Sequence, residues 1–387
     1  MKRRVVITGV GCYTPLGNNF NDVEQALFAG QTGLSYNETT GSMTGQVSYD
    51  ADQDFDKFDI QVTDRIARLA YLAYRQAVAA AGVKPEGVYF GSGAGGASEI
   101  AKSYHNLTAR GRVRPTSLVS SMLNGAANFI AAKDNINGPV FTYSAACSSA
   151  SVAIGEAYKA ISYGDVDVMV TGGGEFCLTK LVAEQWRAMQ ALSDCCKPFS
   201  EDRNGIALGE GTTIYILETL ESAVSRGAKI YAEIVGYGNS TGAETMTKPN
   251  EAGQVSAMES ALKGIDSGRV TYINAHGTGT PVGDLIELGS IAKVFGSQTQ
   301  NIPVSSTKVL HGHLLGNAGG MELLACLAVL NQNKVIPNWG LSNPDSNIPT
   351  ELNLPTKIID KNQDIVLNNS FAFGGTNVVL ALAKVDQ

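Results

Sequence analysis

The stretch Ser144-Ala145-Ala146-Cys147-Ser148-Ser149-Ala150 lies where a β-type run (139–143) ends and a helix-type run (151–161) begins. A cysteine at the N-terminus of a helix faces unpaired backbone N–H groups and the positive end of the helix dipole, which favour a thiolate. Small neighbours on both sides leave the sulfur reachable. We therefore expect Cys147 to be a nucleophile, although a lone cysteine is more often simply a buried apolar side chain.

Length and composition indicate a globular protein of two domains or one double domain, since the chain has 387 residues, of which 44% are hydrophobic and 17% charged. The net charge of −7 disfavours nucleic acid as a partner. The six cysteines form no CxxC pair, the basic N-terminus is followed by too short an apolar run for a signal peptide, and no stretch is long enough to cross a bilayer. We expect a cytoplasmic protein without a membrane span.

Strand-type and helix-type segments alternate along the chain, and their order restarts near residue 229. The run at 229–236 repeats the opening apolar strand and its glycine, and the strands at 365–368 and 378–383 repeat those at 166–171 and 212–217. This alternation predicts layered α/β packing in two similar halves, 1–228 and 229–387. Among the helices, the pattern predicts one at 64–81 and one at 117–133.

Two of the four histidines lie in glycine-flanked loops that follow apolar strands. His276 is in NAHGTGTP (274–281) and His313 is in KVLHGHL (308–314). Loops at strand ends are where α/β folds place reactive groups, and one cysteine with two distant histidines fits nucleophilic catalysis. The pair His311 and His313 is a weaker candidate for a metal site because no further ligand stands at a suitable spacing, so we predict no metal.

Three other features have ordinary structural interpretations when taken alone. Asp284 and Glu287 form a capping-box pattern at the start of a helix. Lys308 reads as a solvated lysine. The run GSGAGG (91–96) matches a dinucleotide-binding pattern, but the acidic residue expected about 20 positions later is absent, so close backbone packing is the better interpretation of its glycines.

Together these residues resemble the elongating β-ketoacyl-acyl-carrier-protein synthases, the condensing enzymes of fatty-acid and polyketide synthesis. The resemblance runs nearly end to end, through VVITGVG (5–11), ACSSA (146–150), GGGE (172–175), ALS (191–193), KPF (197–199), LGEG (208–211), both histidine loops and NSFAFGGTN (369–377). It implies a thiolase-like α/β fold of two βαβαβαββ halves related by a pseudo-dyad, in five αβαβα layers. It also implies a dimer, formed either with an identical chain or with a ketosynthase-like subunit.

The resemblance also implies a role for each matching residue. Cys147 takes an acyl chain from an acyl-carrier protein, and the backbone N–H groups of Cys147 and Phe373 form the oxyanion hole. His276 and His313 bind the malonyl thioester and assist its decarboxylation. Phe373 gates the acyl pocket. The residues implied to support the histidine region are Lys308 with Glu287 and Asp284. Those implied to contact the substrate are Thr278, Thr280 and Phe371, and the phosphopantetheine of the substrate is carried by the carrier protein. We expect no cofactor on the enzyme itself.

The sequence departs from the common family pattern at several of these motifs. Ser148 and Ser149 follow the cysteine where fatty-acid enzymes usually carry Ala-Thr, Ala372 replaces a glycine of the gate loop, His311 replaces threonine and Ile206 replaces phenylalanine. These departures affect the expected substrate more than the reaction class. The residues proposed to dock the acidic carrier protein are Arg65, Arg68, Arg112, Arg114 and Arg203.

The predicted function is therefore a 3-oxoacyl-carrier-protein synthase of fatty-acid, polyketide or polyene (for example aryl polyene) synthesis. One alternative is a non-catalytic partner that sets chain length in a ketosynthase heterodimer, but such partners lack the nucleophile, which is present here as Cys147. A nucleotide-dependent oxidoreductase is disfavoured by the missing ribose-binding acid. An initiating synthase would pair its cysteine with His and Asn rather than with two histidine loops.

Overall fold

The computed structural model describes residues 2–242 and 245–385. Its strands, numbered in chain order, are β1 (Val5–Tyr13), β2 (Leu34–Asn37), β3 (Ser42–Gly45), β4 (Gly87–Gly91), β5 (Val140–Tyr143), β6 (Val168–Glu175), β7 (Gly211–Thr219), β8 (Ala232–Thr241), β9 (Val270–Asn274), β10 (Val304–Ser305), β11 (Lys334–Val335), β12 (Ile359–Asp360), β13 (Ile365–Phe371) and β14 (Thr376–Ala383).

The α-helices are α1 (Phe20–Ala29), α2 (Lys57–Val62), α3 (Arg65–Ala81), α4 (Ala97–Arg110), α5 (Ser117–Ser120), α6 (Gly125–Lys133), α7 (Ser149–Tyr163), α8 (Lys180–Ala188), α9 (Leu220–Ser225), α10 (Glu251–Ala261), α11 (Pro281–Phe295), α12 (Lys308–His311) and α13 (Ala318–Gln332). Within the described residues, no helix is both long and apolar enough to cross a membrane.

A ten-stranded sheet contains the same strand arrangement twice. Its order is β10-β9-β13-β14-β8-β1-β7-β6-β4-β5, and β8 pairs with β1 in the middle. Outward from that junction, the first half has the order β1, β7, β6, β4, β5 and the second half has the order β8, β14, β13, β9, β10. If the five sheet strands of each half are numbered along the chain, both orders read first, fifth, fourth, second, third. In each half the second, third and fourth strands are parallel and the fifth is antiparallel to both of its neighbours. The precise boundary at residues 228 and 229 stays a prediction.

Helices cover both halves of the sheet and form a buried layer between them. The middle layer is α7 and α13, and α13 is buried along nearly its whole length, which agrees with its almost continuous apolar sequence. Helices α3 and α6 pack on the outer face of the first half, and α10 and α11 pack on the outer face of the second. This arrangement gives the predicted five αβαβα layers.

Local sequence signals explain several element boundaries. The Asp64 side chain accepts a hydrogen bond from the Ala67 N–H, and Gly82 ends α3 with φ +66°, so the helix occupies nearly the predicted range. The single helix expected at 117–133 is wrong, because a turn at 121–124 separates α5 from α6. The glycines at 91–96 are closely packed as predicted: a Cβ on Gly91 would lie 2.3 Å from the Ser149 backbone.

Candidate active site

The candidate site lies where the carboxyl ends of parallel strands from both halves meet. Cys147 follows β5, His276 follows β9, Lys308 follows β10 and Phe373 follows β13. Parallel strands of α/β folds present their following loops at one edge of the sheet, which is why positions so distant in sequence converge. The two histidine loops and the nucleophile loop thus share one cavity, of about 430 Å³.

Cys147 sits in a tight turn before α7. Ala146 has φ +46°, a left-handed conformation unusual for a residue with a side chain, and such strain concentrates at functional sites. The Ser148 N–H donates to the Ala145 carbonyl at 3.0 Å, and Ser149 then begins the helix. The turn leaves the Cys147 side chain facing the cavity with only 8% of the residue exposed.

The expected resting thiolate is not what this environment favours. Burial raises the pKa of the Cys147 thiol to about 12, although the charge of Lys308 and the Phe373 backbone N–H act in the opposite direction. Loss of water around the sulfur outweighs the charge of Lys308 and the Phe373 N–H. The thiol is neutral at rest and loses its proton only when it reacts.

His276 and His313 lie against Cys147. A nitrogen of each imidazole and Cys147 Sγ are all within 4.8 Å of one another, and the two rings stand edge to face with centroids 5.4 Å apart. The Nδ1 of His313 accepts a hydrogen bond from the Leu315 N–H at 2.9 Å, and the Nδ1 of His276 lies 3.4 Å from the ammonium of Lys308, which can only donate. Each ring therefore carries its proton on Nε2.

Both imidazoles are neutral at physiological pH. Burial lowers the pKa of His276 and of His313 well below the ordinary value of 6.5, and the positive charge of Lys308 lowers each further. Two neutral Nε2–H groups next to a sulfur are hydrogen-bond donors. Since Nε2 carries a proton, it offers no lone pair to a metal ion, although the three atoms are close enough to share one. The absence of a metal stays a prediction.

Lys308 is fully buried, so its interpretation as a solvated lysine is wrong. Its ammonium forms an ion pair with Glu322 of α13, also fully buried, and donates to the His276 carbonyl. Glu287, another residue implied to support the histidine region, makes a separate contact. It accepts the backbone N–H groups of His276 and Gly277, each at 2.7 Å, and so fixes the loop from its other side.

The capping-box interpretation of Asp284 and Glu287 is also wrong. Helix α11 begins at Pro281 with Thr280 as its N-cap residue, which places both carboxylates inside the helix. Asp284 accepts the N–H groups of Phe199 and Gly279, so it joins two loops that border the cavity. The spacing of Asp284 and Glu287 in the sequence suggested that they cap their own helix. The buried face of α11 instead directs both side chains to backbone N–H groups of other segments.

Glu175 is the main supporting residue that the sequence did not single out. Its carboxylate, 1% exposed, accepts the N–H groups of Gly93, Ala94 and Gly316 and the hydroxyl of Ser92. Gly316 follows the His313 loop, so Glu175 ties that loop to the glycine-rich loop after β4. Burial raises the pKa of this carboxyl to about 7. The sequence signal that could have identified Glu175 is its position directly after three glycines at the end of a buried strand.

The cavity is lined by the residues implied to contact substrate. Thr278 and Thr280 line it with hydroxyl oxygens 3.1 Å apart, and the ring of Phe371 lies 6.5 Å from that of His276. Phe373 is 39% exposed and stacks on Trp186 of α8, with ring centroids 5.6 Å apart. Trp186 was not singled out from the sequence, because a tryptophan on an amphipathic helix carries no distinguishing signal.

His311 is separate from this constellation. It is fully buried, its Nδ1 donates to the Gly312 carbonyl at 2.7 Å, and its Nε2 accepts from the Thr307 hydroxyl at 3.0 Å. Both ring nitrogens are thus used in holding the loop that presents His313. A shared metal site of His311 and His313 has no support from this geometry.

Two of the proposed docking arginines are buried, so their assignment as docking residues is wrong. Arg203, 5% exposed, pairs with Asp345 and Asp284, and Arg68, 7% exposed, pairs with Asp52 and donates to the Thr63 carbonyl. Their charges are neutralised inside the protein, so they offer nothing to a docking partner. The others retain exposed side-chain surface: Arg65 beside Glu210, and Arg112 and Arg114 between α4 and α5.

Comparison with known proteins agrees with this geometry. The family profile for the β-ketoacyl synthase N-terminal domain matches residues 2–223, and that for the C-terminal domain matches residues 231–342. The chain is 36% identical over 412 residues to 3-oxoacyl-[acyl-carrier-protein] synthase 2 of Coxiella burnetii, covering 99% of each. It is 34% identical over 403 residues to Nodulation protein E of Rhizobium sp. (strain N33), covering 100% of each.

Solved structures share the complete fold. The ishigamide ketosynthase/chain length factor superposes with a TM-score of 0.92 at 27% identity, and coverage is 100% of both chains. A type II polyketide acyl-carrier protein in complex with its ketosynthase, bound to the hexaketide, gives a TM-score of 0.91 at 28% identity, again with coverage of 100% of both chains. The fold is thus thiolase-like, as the resemblance implied. The chain belongs to the β-ketoacyl synthase family and is an elongating ketosynthase, an acyltransferase that forms carbon–carbon bonds.

Proposed function

We propose that this ketosynthase transfers an acyl chain from acyl-carrier protein to Cys147 and condenses it with malonyl-carrier protein to give a 3-oxoacyl product. The observation that carries the proposal is the approach of Cys147 Sγ and one nitrogen from each of His276 and His313 to within 4.8 Å in one cavity. A nucleophile, two hydrogen-bond donors and a space for substrate are the requirements of decarboxylative condensation.

In the first half-reaction, Cys147 Sγ attacks the thioester carbonyl of the acyl group. The bond from sulfur to acyl carbon forms, the pantetheine sulfur leaves, and the thiol proton passes to that sulfur. The backbone N–H groups of Cys147 and Phe373 stabilise the negative charge on the carbonyl oxygen. Because the thiol pKa is high, proton loss accompanies attack, and the oxyanion donors carry much of the stabilisation.

In the second half-reaction, the malonyl thioester loses CO2 and the resulting negative charge moves to its thioester oxygen. The Nε2–H groups of His276 and His313 donate to this oxygen and stabilise the enolate. The enolate carbon attacks the acyl carbonyl on Cys147, a carbon–carbon bond forms, and the Cys147 thiolate leaves and takes up a proton from solvent. Neutral donors suit this step because their protons stay on the rings through the cycle.

The proposed carrier-protein partner delivers both substrates on phosphopantetheine past Thr278 and Thr280, which line the cavity. The related ketosynthase solved with its acyl-carrier protein supports this partner. Arg65, Arg112 and Arg114 remain the proposed docking residues, since each keeps exposed surface in the single chain; Arg112 and Arg114 flank Val113 of the face proposed below for a second subunit, so they would serve a carrier protein only where that subunit leaves them exposed. All six cysteines are free, which agrees with the proposed reducing cytoplasm.

We propose that a second ketosynthase-fold subunit covers an exposed apolar face beside the edge strand β5. The exposed large apolar side chains of segment 100–123 and of β5 are Ile100, Tyr104, Leu107, Val113, Leu118, Val119, Met122, Leu123 and Phe141. So many exposed apolar side chains in one segment, together with a strand at the edge of the sheet, are typical of an interaction site. Two copies of β5 would extend the ten-stranded sheet across the interface.

We expect Leu118→Asp to dissociate this dimer. Leu118 is 77% exposed in the single chain, and a carboxylate buried at an apolar interface is strongly unfavourable. Light scattering should report twice 40.7 kDa for the native chain and 40.7 kDa for the variant. Val224→Asp is the control, because Val224 is 62% exposed on α9, away from this face. A native chain that stays monomeric, even when a homologous subunit is co-expressed, would contradict the proposal.

The test of the proposed activity is incubation of the purified chain with acyl-carrier protein loaded with acyl and malonyl groups. We expect 3-oxoacyl-carrier protein by mass spectrometry, with the acyl group appearing transiently on Cys147. A panel of saturated, unsaturated and aryl acyl groups assigns the chain to fatty-acid or to polyketide and polyene synthesis. No product with any acyl group, with or without a partner subunit, would favour the non-catalytic chain-length role instead.

A further inference from the structure

Ser148, directly after the nucleophile, points away from the cavity toward the second half of the protein. The residue is fully buried. Its hydroxyl lies 2.9 Å from the Ser370 carbonyl oxygen and 3.2 Å from the Thr376 carbonyl oxygen, and it donates its proton between them. A fully buried hydroxyl shared by two carbonyl groups of another element is a specific contact between the two halves.

The two carbonyl groups stand at the two ends of one loop. Strand β13 ends at Phe371 and β14 begins at Thr376, and the residues between them, 372–375, carry Phe373. The loop is narrow at its base, where the Ala372 N–H donates to the Thr376 carbonyl at 2.9 Å. The Ser148 hydroxyl therefore holds this base, which we call the neck of the Phe373 loop (Ser370 and Thr376).

This contact is a short connection between the two proposed oxyanion donors. One donor is the N–H of Cys147, which is bonded covalently to Ser148. The other is the N–H of Phe373, three residues from either side of the neck. The donors come from different halves of the chain, so no nearby covalent link sets their separation. An oxyanion hole requires both donors at hydrogen-bond distance from one oxygen atom.

We infer that Ser148 is a positioning residue that aligns the Phe373 N–H with the Cys147 N–H for acyl transfer. The inference rests on the proposed function and adds a role for a position that departs from the usual family residue. Ser148 does not touch the reacting atoms; it acts through the neck of the Phe373 loop. The tip of the loop makes separate contacts, since Phe373 stacks on Trp186 and the Gly374 N–H donates to the Met246 carbonyl at 2.8 Å.

The neighbouring serines make different contacts and provide a matched comparison. Ser149 closes its own turn, since its hydroxyl donates to the Ala146 carbonyl at 2.7 Å and accepts from the Ala145 N–H at 2.9 Å. Ser151, also fully buried in α7, contacts the hydroxyl of Ser370 at 2.8 Å. Ser151→Ala thus deletes a buried hydroxyl between the same two elements without removing a bond to the carbonyl groups of the neck.

The test is Ser148→Ala, compared with the native chain and with Ser151→Ala, in two separate half-reactions. Acyl transfer to Cys147 is followed by intact mass in a single turnover, and decarboxylation is followed by CO2 release from malonyl-carrier protein. We expect acyl transfer to fall about 10- to 100-fold in Ser148→Ala, because a displaced oxyanion donor loses much of its effect. Decarboxylation should stay within about twofold, because the histidine donors are untouched.

Ser148→Thr keeps the hydroxyl and should restore acyl transfer, and thermal unfolding establishes that each variant is folded. If Ser148→Ala does not fold, Ser148→Gly takes its place in both half-reactions, because it removes the same hydroxyl at the N-cap position of α7, where glycine is tolerated. An equal fall in both half-reactions, or the same fall in Ser151→Ala, would assign Ser148 to general structure and overturn the inference. A native chain inactive in both half-reactions would instead contradict the proposed function.

Discussion

Replacing Cys147 with alanine should abolish condensation while leaving malonyl decarboxylation measurable. No other group in the described site can hold the acyl chain as a thioester, so acyl transfer should fall by about 10⁴-fold or more. Decarboxylation depends on the Nε2–H donors of His276 and His313, which the substitution does not remove. The two activities should therefore separate completely in this variant.

The measurement is the mass of the protein after incubation with acyl-carrier protein, together with CO2 release from malonyl-carrier protein. Cys326→Ala is the matched control, because Cys326 is a fully buried thiol on α13 whose sulfur lies 3.8 Å from the Leu367 carbonyl oxygen. It should load the acyl chain at the native rate. Full condensation by Cys147→Ala would exclude Cys147 as the nucleophile.

Lys308→Met should destabilise the protein more than any other single change at the site. It leaves Glu322 fully buried without its ion-pair partner, and removing one partner of a buried pair costs about 3–5 kcal/mol. One oxygen of Glu322 already has no hydrogen-bond partner among the described atoms. Urea denaturation should show the loss, and condensation should fall as well because His276 Nδ1 loses its neighbouring donor.

The double variant Lys308→Met/Glu322→Leu separates the two effects. Removing both charges should recover most of the free energy of unfolding, since apolar replacement of a buried ion pair is often neutral. Condensation should remain low, because the double variant still lacks the donor beside His276. Full activity in the double variant would show that Lys308 serves stability alone.

The Glu322 carboxyl determines how the stability of the Lys308→Met variant depends on pH. Burial raises its pKa to about 7, and Lys308 holds the pKa down against that effect. In Lys308→Met the folded pKa rises further, so the folded state keeps a proton that the unfolded state releases above its ordinary pKa of 4.5. Native chain and variant should therefore lose stability in parallel from about pH 5 to about pH 7, and the additional loss in the variant should develop above about pH 7, where the native Glu322 releases its proton and the variant keeps it.

Much of the architecture is readable from local sequence. The alternation of apolar strands with amphipathic helices, the stop signals such as Gly82, and the repeated order of elements predicted two similar α/β halves. These signals are local because hydrophobic period and turn chemistry act over a few residues. The turn at Cys147 and the loops of His276 and His313 were readable for the same reason: small residues and glycine mark strand ends.

The tertiary structure alone decided how those pieces support one another. The contacts that hold the site join residues far apart in sequence, where no periodic pattern links the partners. They are the ion pair of Lys308 with Glu322, the hydrogen bonds of Glu175 to two loops, the buried ion pairs of Arg203 and the long-range hydrogen bonds of Asp284 and Glu287. Burial also decided the charge states, since the same seclusion from water that keeps both histidines neutral raises the pKa of Cys147. The sequence by itself determined which groups are the candidates for reaction; packing determined their spacing, their protons and their supports.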